Sequence, residues 1–258
     1  ETIDFNIPIC DYKILYSNFD EINVIFFQAL NTLSYDLIKF DKFPEFVLRN
    51  KNLFLTDLLS KYSDSYYFDS SEDLDNFYLN NTNSKTKQTD RRKLKKILSE
   101  KKLNLEKIIL NKDNFESFEE LVNLKYNQYF SKNLKSFNPN KIIEFYFNII
   151  IKDKKNFSLV IHKMKIENTD LSIIFGIEQF NYFYYLIPYV PNTPVFKYSP
   201  GRFHIKELIK IYQKKKMNVD FTSGDENYKK NWSNCSYDMN YILKMNNLKG
   251  LPLYIYFI

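Results

Sequence analysis

The chain has 258 residues, a formal net charge of +6 and 18% aromatic residues, long enough for a sizeable core without disulfides or metal. Its two cysteines, Cys10 and Cys235, form no C-x-x-C and exclude a disulfide framework, which suits a reducing cytosol. No run approaches about 18 uncharged apolar residues, and the N-terminus has no secretion-signal pattern, so a cytoplasmic protein without membrane insertion is expected. The chain starts at Glu1 rather than Met, as a fragment or processed form would. Lysine, asparagine, isoleucine, phenylalanine and tyrosine dominate as AT-rich coding would have it, so the positive charge alone is a weak pointer to nucleic acid.

"EINVIFFQALNTL" (21–33) reads as a buried helix and "YDLIKF" (35–40) as a strand. The chain then turns polar. Ser71, Asp73 and Asp75 can open a short helix ending near Asn80–Asn83, and Asp90 is the expected N-cap of a second helix with Leu94, Ile97 and Leu98 on one face. The stretches 115–130 and 138–153 read as helices, with Pro139 in a first-turn position. After residue 155 the period changes to two. "NFSLVIHKMKI", "DLSIIFGIEQF" and "NYFYYLIPYV" are expected to form three consecutive strands with short connections. A helix after Gly201, a strand at 218–222, a short helix after Gly224 and two final strands near "DMNYILKM" and "LPLYIYFI" complete a mixed α/β sheet.

Two of the four glycines lie in "KYSPGRFHIKELIKIYQKKKMNVDFTSGDENYKKNW", residues 197–232. Ser199 is a natural N-cap and Pro200 a natural first helical residue. The first-turn amides then belong to Gly201, Arg202 and Phe203. A residue without Cβ at 201 would let a phosphate approach a helix N-terminus, and Arg202 would add a charge-assisted contact. An ordinary capped helix is the plain alternative. Ser223 and Glu226 have the spacing of a capping box, and Asp225 stands four residues before Lys229. His162 alternates with Val160 and Met164 and reads as a core or surface histidine; His204 lies just inside the phosphate-facing helix. The scattered His and Cys residues give no metal spacing. P-loop, G-x-S-x-G and H-E-x-x-H patterns are absent from the sequence.

The order aromatic strand, Ser199-Pro200-Gly201, amphipathic helix, Asp220-Phe221, Gly224, Tyr228-Lys229, Trp232 resembles the CelD-type, FemAB-related branch of the GNAT N-acyltransferase superfamily. The likeness spans roughly residues 65–235 and includes the upstream basic run ending in Arg91-Arg92. It implies a GNAT-like mixed, mostly antiparallel sheet flanked by helices. Residues 1–85 would form a partial second GNAT-like half and 86–258 the acyltransferase domain.

What the resemblance implies for chemistry is acyl transfer from acetyl-CoA or another acyl-CoA to an amine of a small molecule or cell-envelope sugar precursor, with no metal. Ser199, Gly201, Arg202 and Phe203 would take the pyrophosphate where parallel strands diverge. Tyr228 would be the general acid for the leaving thiolate, Lys229 would face the oxyanion or an anionic acceptor group, and Asp220 would be the base. Arg91, Arg92 and Glu178 would contact the acceptor, with Glu178 a second candidate base. A Fem-type transferase using aminoacyl-tRNA is the alternative, with the basic helix near 90–102 on RNA; otherwise no nucleic-acid partner is expected. A non-catalytic binding domain on the same fold is a third reading.

Overall fold

The computed structural model describes residues 37–44, 59–98, 103–134, 137–152, 157–224, 226–245 and 249. The expected helix at 21–33, the last strand at 251–258 and the Asp225–Lys229 pair lie outside the described residues, through Asp225 in the last case. The chain divides into two compact units. One is built from 67–222 and 227–235; the other contains 2–66, 223–226 and 236–258.

The first unit is the larger. Strands β3 (Leu103–Ile109), β4 (Phe157–Ile166), β5 (Thr169–Gln179), β6 (Tyr182–Tyr189) and β7 (Asn218–Ser223) lie side by side in the order β7-β6-β5-β4-β3. β3, β4, β5 and β6 pair antiparallel. β4, β5 and β6 are joined by two-residue turns in which Glu167 and Phe180 take positive φ. The three strands expected after residue 155 are therefore present as a meander. β3 was not expected; it is an edge strand with little burial, and its short Leu-x-Leu alternation is interrupted by Lys107.

Period-two alternation places helices on both faces. Val160 and Ile174 join a core with Leu74 and Phe77 of α1 (Leu74–Asn81) and Ile205, Leu208, Ile209 and Tyr212 of α5 (Pro200–Lys214). Their strand neighbours Leu159, Ile161, Ile173 and Phe175 point the other way. They pack on Phe118, Leu121 and Val122 of α3 (Glu116–Phe130) and on α4 (Pro139–Ile151). The fold is thus a mixed, mostly antiparallel sheet between helical layers, as the family resemblance implies.

Helix caps correct several sequence expectations. Asp73 does cap α1, accepting from the Asn76 amide at 2.8 Å. Helix α2 (Ser84–Leu98), however, starts earlier than expected, and Asn83 takes the Thr86 amide at 2.8 Å. Asp90 therefore sits in mid-helix rather than at a cap. Ser223 is the last residue of β7, not the cap of α6 (Asn227–Asn231), so the capping-box reading fails. Asn138 caps α4 with Pro139 at its first position.

In the second unit, β1 (Leu37–Pro44) pairs antiparallel with β8 (Cys235–Met245), and β2 (Leu59–Phe68) lies on the far side of β8. β2 is missing from the sequence reading because Ser60, Ser63, Asp64 and Ser65 make it look like a polar loop.

Candidate active site

β6 and β7 form the one parallel pair described, and it is short. Tyr182, Phe183 and Tyr184 pair with Asn218, Val219 and Asp220, and no pairing continues beyond them although both strands do. The bend lies in β7. Thr222 takes φ 61°, rare for a β-branched residue, and its amide donates to Asp220 Oδ1 at 2.7 Å. Asp220 is buried, so it braces the strand where it leaves its neighbour. A carboxylate that takes the amide two residues further on has the geometry of a turn cap. Tyr185 fills the divergence, its ring 5.5 Å from Phe221 and 6.2 Å from Tyr228.

Beyond β6 the chain makes a 3-10 turn at Phe196–Tyr198 and enters α5. Ser199 occupies the N-cap position, but at φ 59° and ψ 53° it is left-handed and its side chain caps nothing. Its Oγ instead accepts from Lys93 Nζ at 2.8 Å. Lys96 and Lys197 lie 5.6 and 5.3 Å from the Tyr198 ring centroid, so three ammonium groups surround this turn. Lys93 was missed from sequence because one lysine in a basic helix carries no signal of which neighbour it will meet.

The first-turn donors are fewer than the sequence implies. Pro200 has no N–H, and the Arg202 amide donates to the Ser199 carbonyl at 3.1 Å. Gly201 also has another explanation: a Cβ there would stand 2.9 Å from Val190 Cγ2, so its absence lets α5 approach the end of β6. Phe203 is buried with Ile97, Met164 and Leu171. The Arg202 side chain is committed too, with Nε 3.0 Å from Asp90 Oδ2 and the guanidinium 4.9 Å from the Trp232 ring centroid. It is not a free phosphate ligand.

Tyr228 and Lys229 lie on α6. Tyr228 is half-buried against the core containing Tyr185, and Lys229 is 5% exposed. Gly224 just before α6 takes φ 129°, a conformation that glycine reaches without penalty. Thus Ser199, Gly201, Asp220, Tyr228 and Lys229 all flank the two diverging strands or their connections.

Glu178 belongs elsewhere. It faces Lys107 at 2.7 Å and Lys215 at 3.3 Å, beside the C-terminal end of α5. Fourteen residues of helix separate Gly201 from Lys215, about 21 Å at 1.5 Å per residue. Burial raises the Glu178 pKa, but hydrogen bonds from Lys107 and Tyr212 outweigh it and hold the carboxyl below its ordinary value. An ion-paired carboxylate at this distance is no base for the same reaction. Arg91 and Arg92 are exposed on α2, Arg91 beside a shallow depression with Leu94, Lys95 and Leu98.

The histidines are interior groups. His162 Nε2 meets Tyr212 Oη at 2.8 Å, and burial lowers its pKa to about 4. Burial lowers that of His204 to about 3, and its Nδ1 has no hydrogen-bond partner among the described residues. A titratable group not foreseen is Lys125 of α3, which contacts Gln128 at 3.1 Å and is lowered to about 8 by burial and by Lys132. No group of His, Cys, Asp and Glu among the described residues could hold a metal. No helix among them is long and apolar enough to cross a membrane.

Comparison with characterised proteins at the sequence level finds no match. Among solved structures, the chain is similar to FemX, with TM-score 0.57 and 12% identity over 93% of this chain and 80% of that one. It is also similar to L-PGS from Bacillus licheniformis, with TM-score 0.52 and 10% identity over 93% of this chain and 77% of that one. A C-terminal domain of a putative lysylphosphatidylglycerol synthetase from Agrobacterium fabrum gives 0.50 and 9%, over 83% and 70%. At these identities the likeness establishes the fold. The sequence model described as an acetyltransferase (GNAT) domain matches residues 84–230, more than half the chain and the segment that holds α2, the diverging strands, α5 and most of α6. The chain belongs to the GNAT acetyltransferase-domain family.

Proposed function

We propose that the chain is an acyl-CoA-dependent N-acyltransferase of the CelD-type branch, acting on a primary amine of a small molecule or cell-envelope sugar precursor. The observation that carries the donor is the turn after β6. Parallel strands part beside it, and Lys93 brings an ammonium group to Ser199 at the start of a fifteen-residue helix. A helix N-terminus with fixed cations favours a diphosphate. The acceptor class rests on the CelD-type resemblance of the Ser199-Pro200-Gly201 and Tyr228-Lys229 motifs.

The acyl-CoA would supply an activated acyl group as a thioester. The amine nitrogen forms a bond to the acyl carbon, the carbon–sulfur bond breaks, and the nitrogen loses a proton while the sulfur gains one. In this reading the Tyr228 hydroxyl gives that proton to sulfur. The Lys229 ammonium stands against the charge on the acyl oxygen or an anionic group of the acceptor. Ser199, Gly201 and Phe203 shape the diphosphate turn, with Lys93 added and Arg202 given over to Asp90. Asp220 keeps the strands apart, while Arg91 and Arg92 are placed to meet a negatively charged part of the acceptor.

Isothermal titration with acetyl-CoA tests this. Micromolar binding is expected, weakened about tenfold in Lys93→Met, the loss of one charge-assisted contact. No heat with the unaltered chain would overturn the CoA reading. A second reading has one specific support: α2 carries Arg91, Arg92, Lys95 and Lys96 on exposed positions, a face suited to phosphate groups. Under that Fem-type reading the donor is aminoacyl-tRNA, and tRNA binding would fall steeply with salt while acetyl-CoA did not bind.

A further inference from the structure

We infer that Asp90 is a positioning residue for acyl transfer: it holds the Arg202 guanidinium across Trp232 and thereby fixes helix α6, which carries Tyr228 and Lys229. For what Tyr228 and Lys229 do, this rests on the reading above; the clamp itself rests on contacts.

Asp90 is the one carboxylate among the fifteen residues of α2, and it is turned inward at 8% exposure while its basic neighbours face out. It accepts from Tyr78 Oη at 2.8 Å and from Arg202 Nε at 3.0 Å. The Tyr78 and Trp232 rings are stacked at 5.9 Å with planes 13° apart, and the Arg202 guanidinium lies 4.9 Å from the indole centroid. Lys206 closes the cluster from α5, 4.3 Å from the Tyr78 centroid and 3.2 Å from Asp75. Four helices, α1, α2, α5 and α6, therefore meet through one carboxylate, one guanidinium and two stacked rings.

Helix α6 needs such a device. Five residues are too few for a helix to hold itself, so its orientation comes from the side chains it packs. Trp232 ends it, with its amide donating to the Lys229 carbonyl at 3.1 Å. The indole is 2% exposed, yet its Nε1 has no hydrogen-bond partner among the described residues. The stack, rather than a hydrogen bond, sets the ring's plane. A planar guanidinium suits this place and an ammonium does not. An apolar side chain at position 90 would avoid burying a charge, so the carboxylate makes sense where direction matters more than stability.

Hydrogen exchange by mass spectrometry and acetyl-CoA titration should be run together on the full chain, on Asp90→Asn and on the milder Arg202→Lys. Both variants are expected to exchange at least tenfold faster in peptides covering 226–234 and to leave 157–179 unchanged. The single tryptophan supplies a second signature, a red shift of its emission in both variants. With an amino-sugar panel, thiol release in Asp90→Asn should fall at least tenfold while the acetyl-CoA Kd stays within about threefold. Normal exchange at 226–234 in both variants, or acceleration spread evenly through 157–179, would overturn the clamp and leave an ordinary core ion pair. If acetyl-CoA binds none of the proteins, the acyltransferase reading falls, and the exchange and emission data still decide the clamp.

Discussion

Asp220 offers the sharpest separation between a brace and a base. Its Oδ1 takes the Thr222 amide at 2.7 Å in a buried strand. Leaving that amide unpaired costs about 1–3 kcal/mol. Thr222 is also held at φ 61°, a conformation that costs a β-branched residue about 1–3 kcal/mol and persists only while its surroundings enforce it. Asp220→Ala should therefore lose about 1–3 kcal/mol in urea unfolding, offset in part by the strain that Thr222 sheds as the end of β7 relaxes. Asp220→Asn keeps an oxygen acceptor at the same place, and should lose about 1 kcal/mol or less and retain thiol-release activity within about tenfold. A general base behaves otherwise, because an amide cannot take the proton and the rate falls by about 100-fold or more. An Asn variant with an unchanged urea midpoint and a hundredfold lower kcat would refute the brace.

Three further outcomes follow from the interior. His162 and His204 have folded pKa values of about 4 and 3, below the ordinary histidine value, so the unfolded chain takes up protons first as pH falls. Their contribution is full above about pH 6.5 and is lost on acidification towards 4, by about 3 kcal/mol for His162; melting temperatures between pH 7.5 and 4.5 should show this, and His162→Gln should flatten the curve. Gly201→Ala should cost about 1–3 kcal/mol through its contact with Val190, and Val190→Ala in the same chain should recover most of it in chemical denaturation. Gly176→Ala should be worse, at least about 3 kcal/mol, since the new methyl would meet the Phe183 ring and the Tyr184 carbonyl oxygen at a register shift in β5–β6; circular dichroism melts measure it.

How much could be read in advance depended on whether a residue's role was set nearby or far away. The meander was legible because β4, β5 and β6 alternate cleanly and sit next to one another in sequence. Helices α3 and α4 declared themselves through apolar spacing, and α4 through Asn138-Pro139 as well. Asp90 was misplaced because a local rule, the cap, competed with partners Tyr78 and Arg202 twelve and 112 residues away. Gly201 was read for the ligand it would admit, whereas Val190 supplies a packing reason that no motif spells out. Glu178 stood on a strand of the right sheet but at the wrong end, and only the direction of α5 shows that.

The Lys93–Ser199 hydrogen bond joins residues 106 apart, and the Asp90–Arg202 pair spans 112. The meander closes through two-residue turns. Contacts that cost so little loop entropy form early, and those that enclose a hundred residues form late. The contacts that close the candidate active site are thus expected to form late on folding and to open early under stress. A chain can keep its three-stranded core after the contacts that close the site have come apart. Inactivation should then precede unfolding on heating, and any ligand bridging α2 and α5 will protect activity more than it raises the melting temperature.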